Sequence, residues 1–167
     1  MTREDRLFAD LSALGLAHAL VEHQAVFTVD ESLVLHQTLP GAHTKNLFLK
    51  DAGGKFWLVT VPFDARVDLK ALPAAIGSKK VSFGKAEDME NLLGVTPGSV
   101  TPVAAINDED GKVMIVLDAA FNGSERINVH PLRNTAMIGL KASDLVLALR
   151  HWGHEPLIVS IPAKEFA

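Results

Sequence analysis

Two apolar-rich runs, Lys45 to Lys50 and Lys55 to Val61, are separated only by Asp51-Ala52-Gly53-Gly54, and no other feature restricts the chain as much. Glycine tolerates the left-handed backbone that a tight reversal needs, and aspartate bonds the amides that follow it, so the two runs read as strands of a β-hairpin. A hairpin is antiparallel by construction and must cover its apolar face with something else. A second pattern of the same kind follows, with Val103 to Ile106 and Val113 to Leu117 bracketing Asn107-Asp108-Glu109-Asp110-Gly111. Ile127 to His130, Thr135 to Leu140 and Leu157 to Ile161 supply further extended runs. The expected sheet is mixed and largely antiparallel.

Helical periodicity supplies the covering layers. Thr2 followed by Asp5 is a variant capping box, and Leu7, Phe8, Leu11 and Leu14 recur at helical spacing up to Gly15, which predicts a helix over about 3–14. His18 to Phe27 reads as extended. Thr28 and Glu31 form another capping box for a helix carrying Leu33 and Val34 and ending near Leu39-Pro40-Gly41. Residues 64–76 and 85–93 read as helices, the second closing on Gly94, and Ser143 caps an apolar helix to about Trp152. Strands and helices alternate without a linker, repeat or low-complexity stretch. The fold class expected is α/β mixed (α+β), with helices packed on the sheet and one domain over 1–167.

Composition then narrows the chemistry. Sixteen basic and twenty acidic residues leave a formal charge of −4, so a generally basic nucleic-acid coat is excluded and any nucleic acid must meet a local patch. Cysteine is absent, which removes disulfides, thiolate metal sites and a cysteine nucleophile together. The first residues carry mixed charge instead of a signal sequence. Apolar runs such as Leu145 to Leu149 fall far short of the roughly 20 residues needed to cross a bilayer. A cytoplasmic location with no membrane partner is the expectation.

Familiar catalytic motifs are missing: there is no Walker phosphate loop, no G-x-S-x-G elbow and no H-E-x-x-H. His151 and His154 stand three apart, but Gly153 interrupts the helix between them, and a helix end decorated with imidazoles is the better reading than a metal site. Asp108-Glu109-Asp110-Gly111 lacks the remaining positions of a calcium loop and reads as a turn.

Three places carry usable chemistry. Lys45-Asn46 opens the first hairpin strand, where a lysine is ordinarily a solvated flank. Thr96-Pro97-Gly98-Ser99 lies in a proline-bounded loop whose glycine allows close backbone approach and whose N–H groups can bind an oxyanion, or which is simply a rigid turn. Asn128-Val129-His130-Pro131 places a polar residue and a histidine at the end of a strand, where a histidine satisfied by a backbone carbonyl is the commoner outcome.

Together, Thr44-Lys45-Asn46-Leu47-Phe48-Leu49-Lys50-Asp51, Gly94-Val95-Thr96-Pro97-Gly98-Ser99-Val100-Thr101-Pro102 and Asn128-Val129-His130-Pro131 resemble the YbaK/prolyl-tRNA-synthetase editing-domain family, in the family's order and over essentially the whole chain. The branch most similar is that of free-standing prolyl-tRNA editing proteins that deacylate alanyl-tRNA(Pro). The resemblance implies a YbaK-like mixed fold, no metal and no other cofactor, no covalent intermediate, and hydrolysis of the ester joining a wrong amino acid to the terminal adenosine. It implies Lys45, Gly98 and His130 as catalytic residues. Asn46, Thr96, Pro97, Ser99 and Asn128 would contact the substrate, and Phe27, Val29, Leu47 and Val129 would wall the amino-acid pocket. The chemistry suits a chain without a nucleophile triad, because an aminoacyl ester is already activated and needs only positioning, a water and oxyanion stabilisation.

Selection by size follows from the weakness of apolar contacts, worth only about 1–3 kcal/mol per methylene. Partners implied are the acceptor end of a mischarged tRNA and a prolyl-tRNA synthetase or an elongation factor. Lys45, Lys50, Arg66, Lys79, Lys80, Lys85, Arg126 and Arg133 are the cations available to the RNA. Three alternatives stay open: deacylation of cysteinyl-tRNA(Pro), a non-catalytic tRNA- or synthetase-binding module, and a small-molecule ester or amide hydrolase.

Overall fold

The computed structural model describes residues 2–24 and 39–164; the helix expected from Thr28 and the wall residues Phe27 and Val29 lie outside them. Along the described chain run α1 (Arg3–Ala13), β1 (His18–Glu22), β2 (Ala42–Asp51), β3 (Phe56–Pro62), α2 (Leu72–Ile76), β4 (Val81–Phe83) and α3 (Ala86–Leu93). After them come β5 (Val113–Asp118), β6 (Ile127–Val129), β7 (Ala136–Leu140), α4 (Ala142–His151) and β8 (Leu157–Val159). The Thr2 capping box forms as expected, with Asp5 N donating to Thr2 Oγ1 and Thr2 N to the Asp5 carboxylate, both at 3.0 Å.

The strands join in one mixed sheet of order β1-β7-β6-β2-β3-β5-β8, with β4 added on β2. Among the described residues four pairings are antiparallel (β1/β7, β6/β7, β2/β3, β2/β4) and three parallel (β2/β6, β3/β5, β5/β8). Side chains alternate across it, so each face carries its own core. One core gathers Phe48, Leu58, Ile115 and Leu117 under α1, α3 and α4; the other gathers Leu49, Trp57, Val59, Val61 and Val116 under α2.

Two expectations are corrected. Val103 to Ile106 is not a strand: Pro102–Asn107 forms a buried 3₁₀ helix, because Pro102 fits a helical first turn and Val103 to Ile106 all pack into the first core. The helix expected over 64–76 shrinks to α2, since the Asp68 carboxylate accepts the amides of Lys70 and Ala71 and holds a turn there instead. Val81–Phe83, for which the sequence pattern sets no expectation, is a strand. Gly41 immediately precedes β2. Its φ is 95°, and a Cβ there would meet Arg126 O at 2.7 Å, where the chain enters against β6.

Both turns named from the sequence are built around a buried carboxylate. Asp108 accepts the amides of Lys112 (3.0 Å) and Val113 (2.8 Å) and pairs with His154 Nε2 at 3.0 Å, while His154 Nδ1 meets Trp152 O. Both nitrogens of His154 are thereby spent. Asp51 accepts the amides of Gly53 (2.9 Å), Lys55 (3.0 Å) and Lys79 (3.4 Å) and the Trp57 indole N–H (3.1 Å). Burial raises the Asp51 carboxyl, but the donors, led by Lys55, outweigh it and leave the pKa below the ordinary 3.8. A depressed carboxyl stabilises the fold above its unfolded value and loses that contribution as pH falls through the folded one. Asp51→Asn is expected to cost about 2 kcal/mol at pH 7 and to narrow its gap from wild type below pH 3.8, as read by urea unfolding at pH 7 and pH 3.

Candidate active site

Ten residues make β2 longer than either neighbour on one of its edges. β6 lies parallel to it at Ala42 and His43, and β4 antiparallel at Leu49 to Asp51. Residues 44–48 therefore have no strand beside them on this edge among the described residues, while β3 pairs the other edge from Thr44 to Lys50. Side chains and loops take over where the ladder stops. Thr44 Oγ1 donates to Asn128 O at 2.7 Å, and Gly84 N donates to Phe48 O at 2.8 Å. Between them Asn46 Nδ2 donates to Val100 O at 3.0 Å, and Asn46 Oδ1 accepts from Thr60 Oγ1 at 2.6 Å. The Asn46 amide is thus fixed in orientation and ties the 94–101 loop to the gap.

That loop presents one free donor at its turn. Pro97–Ser99 forms a 3₁₀ turn in which Ser99 N is spent on Thr96 O at 2.9 Å and Pro97 has no N–H. The Gly98 N–H takes no acceptor among the described residues. Thr96, Pro97 and Gly98 are exposed, whereas Ser99 is buried. Gly98 does not occupy the left-handed region, contrary to the usual need for glycine, and a Cβ there would find only Asn134 Nδ2 at 3.5 Å. Its value is an uncovered amide beside open space.

Asn134 reaches that position because the chain reverses after β6. Leu132 adopts φ 75°, a conformation costing a non-glycine residue roughly 1–2 kcal/mol. At the start of this turn stands His130, half-buried, its Nδ1 on Ala136 O at 3.2 Å. In the neutral ring Nδ1–H donates and Nε2 is left as an acceptor. Burial pushes the His130 pKa below 6.5, and the charge of His23 pushes it the same way, so the ring is neutral at pH 7. His23 itself was not anticipated; its backbone N–H donates to Thr135 O at 2.8 Å, and its Nε2 is buried with no partner among the described residues. A single histidine past a short strand gives no periodic signal that could have marked it.

Not every expected residue falls in one place. Alternation along β2 sets Lys45 on the face of Leu47, Leu49 and Val61, opposite Asn46, so the two neighbours act from different sides of the strand. Lys45 is half-buried, and its side chain has neither ion pair nor hydrogen bond among the described residues; a cavity of about 350 Å³ at the same end of the hairpin is lined by Ala42, His43, Pro62, Phe63 and Asp64, and Lys45 is not among its lining residues. Leu47 packs against the second core. Asn128 and Val129, expected at the pocket, are corrected to the interior at 0% and 1% exposure. Asn128 donates to Pro40 O and Ala42 O, clamping the entry to β2, and Val129 belongs to the first core. A second cavity of about 360 Å³, bounded by Leu117, Phe121, Val146, Leu147 and Ile158, contains none of the expected site residues.

The fold has solved counterparts. A crystal structure of a candidate trans-editing enzyme for prolyl-tRNA synthetase superposes with a TM-score of 0.70 over 97% of this chain and 99% of that one, at 20% identity. The model of the aminoacyl-tRNA editing domain matches residues 23–147, and the chain belongs to that family. It is 41% identical over 155 residues to the Bos taurus prolyl-tRNA synthetase associated domain-containing protein 1, covering 90% of each chain. It is 35% identical over 146 residues to the prolyl-tRNA editing protein ProX of Acetoanaerobium sticklandii, covering 87% of this chain and 89% of that protein. Among the described residues no helix is long and apolar enough to cross a membrane.

The geometry at the turn separates stability from function. Gly98→Ala is expected to unfold within about 1 kcal/mol of wild type, because its Cβ meets ordinary contact only. A loss of more than that in chemical denaturation would show that the turn needs glycine for its backbone.

Proposed function

We propose that this chain is a hydrolase acting in trans on mischarged tRNA(Pro), that it works as one editing domain, and that alanyl-tRNA(Pro) is its substrate. The observation that supports this reading is the interrupted edge of β2, where Asn46 ties down the loop that carries the uncovered Gly98 amide and Thr44 bonds the end of the strand that leads to His130, with Lys45 on the opposite face of the same strand. Family membership supports tRNA as the class of substrate, and the names of two relatives support proline as the tRNA's identity.

The mechanism is positioning chemistry. Lys45 holds a phosphate or the ester oxygens of the terminal nucleotide with a charge that no carboxylate among the described residues competes for. Asn46, locked by Val100 and Thr60, orients the substrate. Water attacks the ester carbonyl, the C–O bond to the ribose breaks, and the proton lost by water passes to the departing ribose oxygen. The Gly98 N–H stabilises the tetrahedral oxyanion, a contribution of roughly 3 kcal/mol for one well-placed donor. His130 Nε2, neutral, accepts a hydrogen bond from that water or from the vicinal hydroxyl. A pocket that admits alanine and refuses proline does so by volume, and the associated synthetase supplies the mischarged product.

Single-turnover deacylation of alanyl-, cysteinyl-, seryl- and prolyl-tRNA tests the assignment, with alanyl-tRNA(Pro) expected to be fastest. Lys45→Ala should lower that rate at least about 100-fold while moving Tm by less than about 3 °C. A well-folded variant with near wild-type hydrolysis refutes the role of Lys45. Corrected for spontaneous hydrolysis, the enzymic rate should hold steady from pH 7.5 to 6.5 and fall only on further acidification, since His130 protonates below 6.5. His130→Gln should remove that acid limb. EDTA should leave the rate unchanged; loss of activity restored by zinc would contradict the scheme.

A further inference from the structure

Charge is segregated along this acidic chain. Residues 45–85 hold eight of the sixteen basic residues and only three of the twenty acidic ones, a balance of +5, which leaves −9 for the remainder. That balance already counts Asp51, Asp64 and Asp68, and Asp51 and Asp68 spend their carboxylates on backbone amides and not on these lysines. Lys50, Lys55, Lys70, Lys79, Lys80 and Lys85 are all exposed, and none ion-pairs with a carboxylate among the described residues. Arg126 and Arg133, the other cations expected to meet RNA, are committed elsewhere: Arg126 to Asn128, Arg133 to Glu4 and Glu22.

The fold concentrates these lysines. Ala52 N donates to Lys80 O at 2.8 Å, and the Lys79 side chain lies beside Gly53, so the 79–80 pair sits on the β2–β3 turn. Lys70 and Lys80 line a groove of about 420 Å³ with Leu69, Pro73 and Val81. On the same edge strand stands Phe83, 64% exposed, the most exposed large apolar side chain among the described residues. Phe83 pairs with Leu49, on the face of β2 that also carries Lys45. Lys45 and Leu49 are four strand rises apart, about 14 Å. Gly84 N on Phe48 O seats this aromatic at the end of the open edge.

We propose that this basic face, with Phe83 as a stacking platform and Lys70, Lys79, Lys80 and Lys85 as phosphate contacts, binds the acceptor arm of tRNA and leads its single-stranded end to Lys45. The surface rests on the hydrolase reading only for the direction in which the strand runs. An exposed aromatic among unpaired lysines suits nucleic acid in particular, because bases stack on the ring while phosphates meet the ammonium groups. The field of exposed, unpaired lysines acts over about 10 Å at 0.1 M salt, so a protein that is acidic overall can still collect a polyanion at a segment whose own formal charge is +5.

The test measures binding of uncharged tRNA over a series of KCl concentrations. A Lys79→Glu/Lys80→Glu double variant is expected to bind at least about tenfold more weakly at 0.1 M salt and to lower the slope of log K against log salt by about 1.5. Phe83→Ala should weaken binding about tenfold with the slope unchanged, and Phe83→Trp should restore it. Lys112→Glu, an exposed lysine outside the segment, is the control. Deacylation of an alanyl ester of adenosine, which has no acceptor arm, should be equal in all variants, while deacylation of alanyl-tRNA falls with affinity. If wild type binds tRNA in this manner but hydrolyses no aminoacyl ester, the surface stands and the hydrolase reading fails. Unchanged affinity and slope in the double variant and in Phe83→Ala, with unfolding curves like wild type, overturn the proposal. So does a face that takes anionic vesicles or an acidic polypeptide while tRNA stays in solution.

Discussion

The site depends on β2 changing partners partway along one edge. Its first residues lie parallel to β6, its last lie antiparallel to β4, and the five between have no strand beside them on that side among the described residues. Backbone polar groups in such a stretch must find side chains, loops, water or a ligand. Here Thr44 and Asn46 send their side chains to the carbonyls of Asn128 and Val100, which draws the end of β6 and the 94–101 loop to the same place. One interruption of a ladder thus gathers three segments that are distant in sequence.

Rigidity around the gap is supplied from below. Asn128, wholly buried, spends its amide on the carbonyls of Pro40 and Ala42 and receives Arg126 Nε, fixing where β2 begins. Leu132 is held left-handed so that the following turn comes against Gly98, and strain of this kind persists only where surrounding packing enforces it. The β2–β3 hairpin turn and the turn that leads into β5 are each tied by a buried aspartate. What remains mobile in chemistry, an uncovered amide at Gly98 and an acceptor nitrogen on a neutral His130, is therefore presented by a stiff frame, as electrostatic preorganisation requires.

Distribution of charge adds a second layer. A formal charge of −4 excludes a generally basic protein, yet it conceals a segment of opposite sign. The acids of the remaining chain include those that hold Arg133 and Arg150 in ion pairs, so those two cations are partnered internally and the lysines of 45–85 are not. Net charge informs about solubility; the placement of unpaired charge informs about partners.

Local chemistry by itself determined a good deal. The Asp51-Ala52-Gly53-Gly54 reversal, the Thr2–Asp5 capping box and the left-handed Gly94 closing α3 depend on residues within a few positions of each other, and each forms as expected; the turn at Asp108 forms too, but it joins a 3₁₀ helix to β5 and not two hairpin strands. Short-range propensity misled where long-range packing or a single carboxylate outweighed it, as at Pro102–Asn107, where a β-branched apolar run became a buried 3₁₀ helix, and at Asp68, whose carboxylate ended a helical pattern. The motif blocks around Lys45, Gly98 and His130 were visible in the sequence. That Asn128 and Val129 lie inside, that Lys45 and Asn46 face opposite ways, and that His23 stands near His130 were decided only by tertiary structure. Those facts depend on strand order and register between segments up to about a hundred residues apart, and periodicity within one segment carries no record of which edge meets which neighbour.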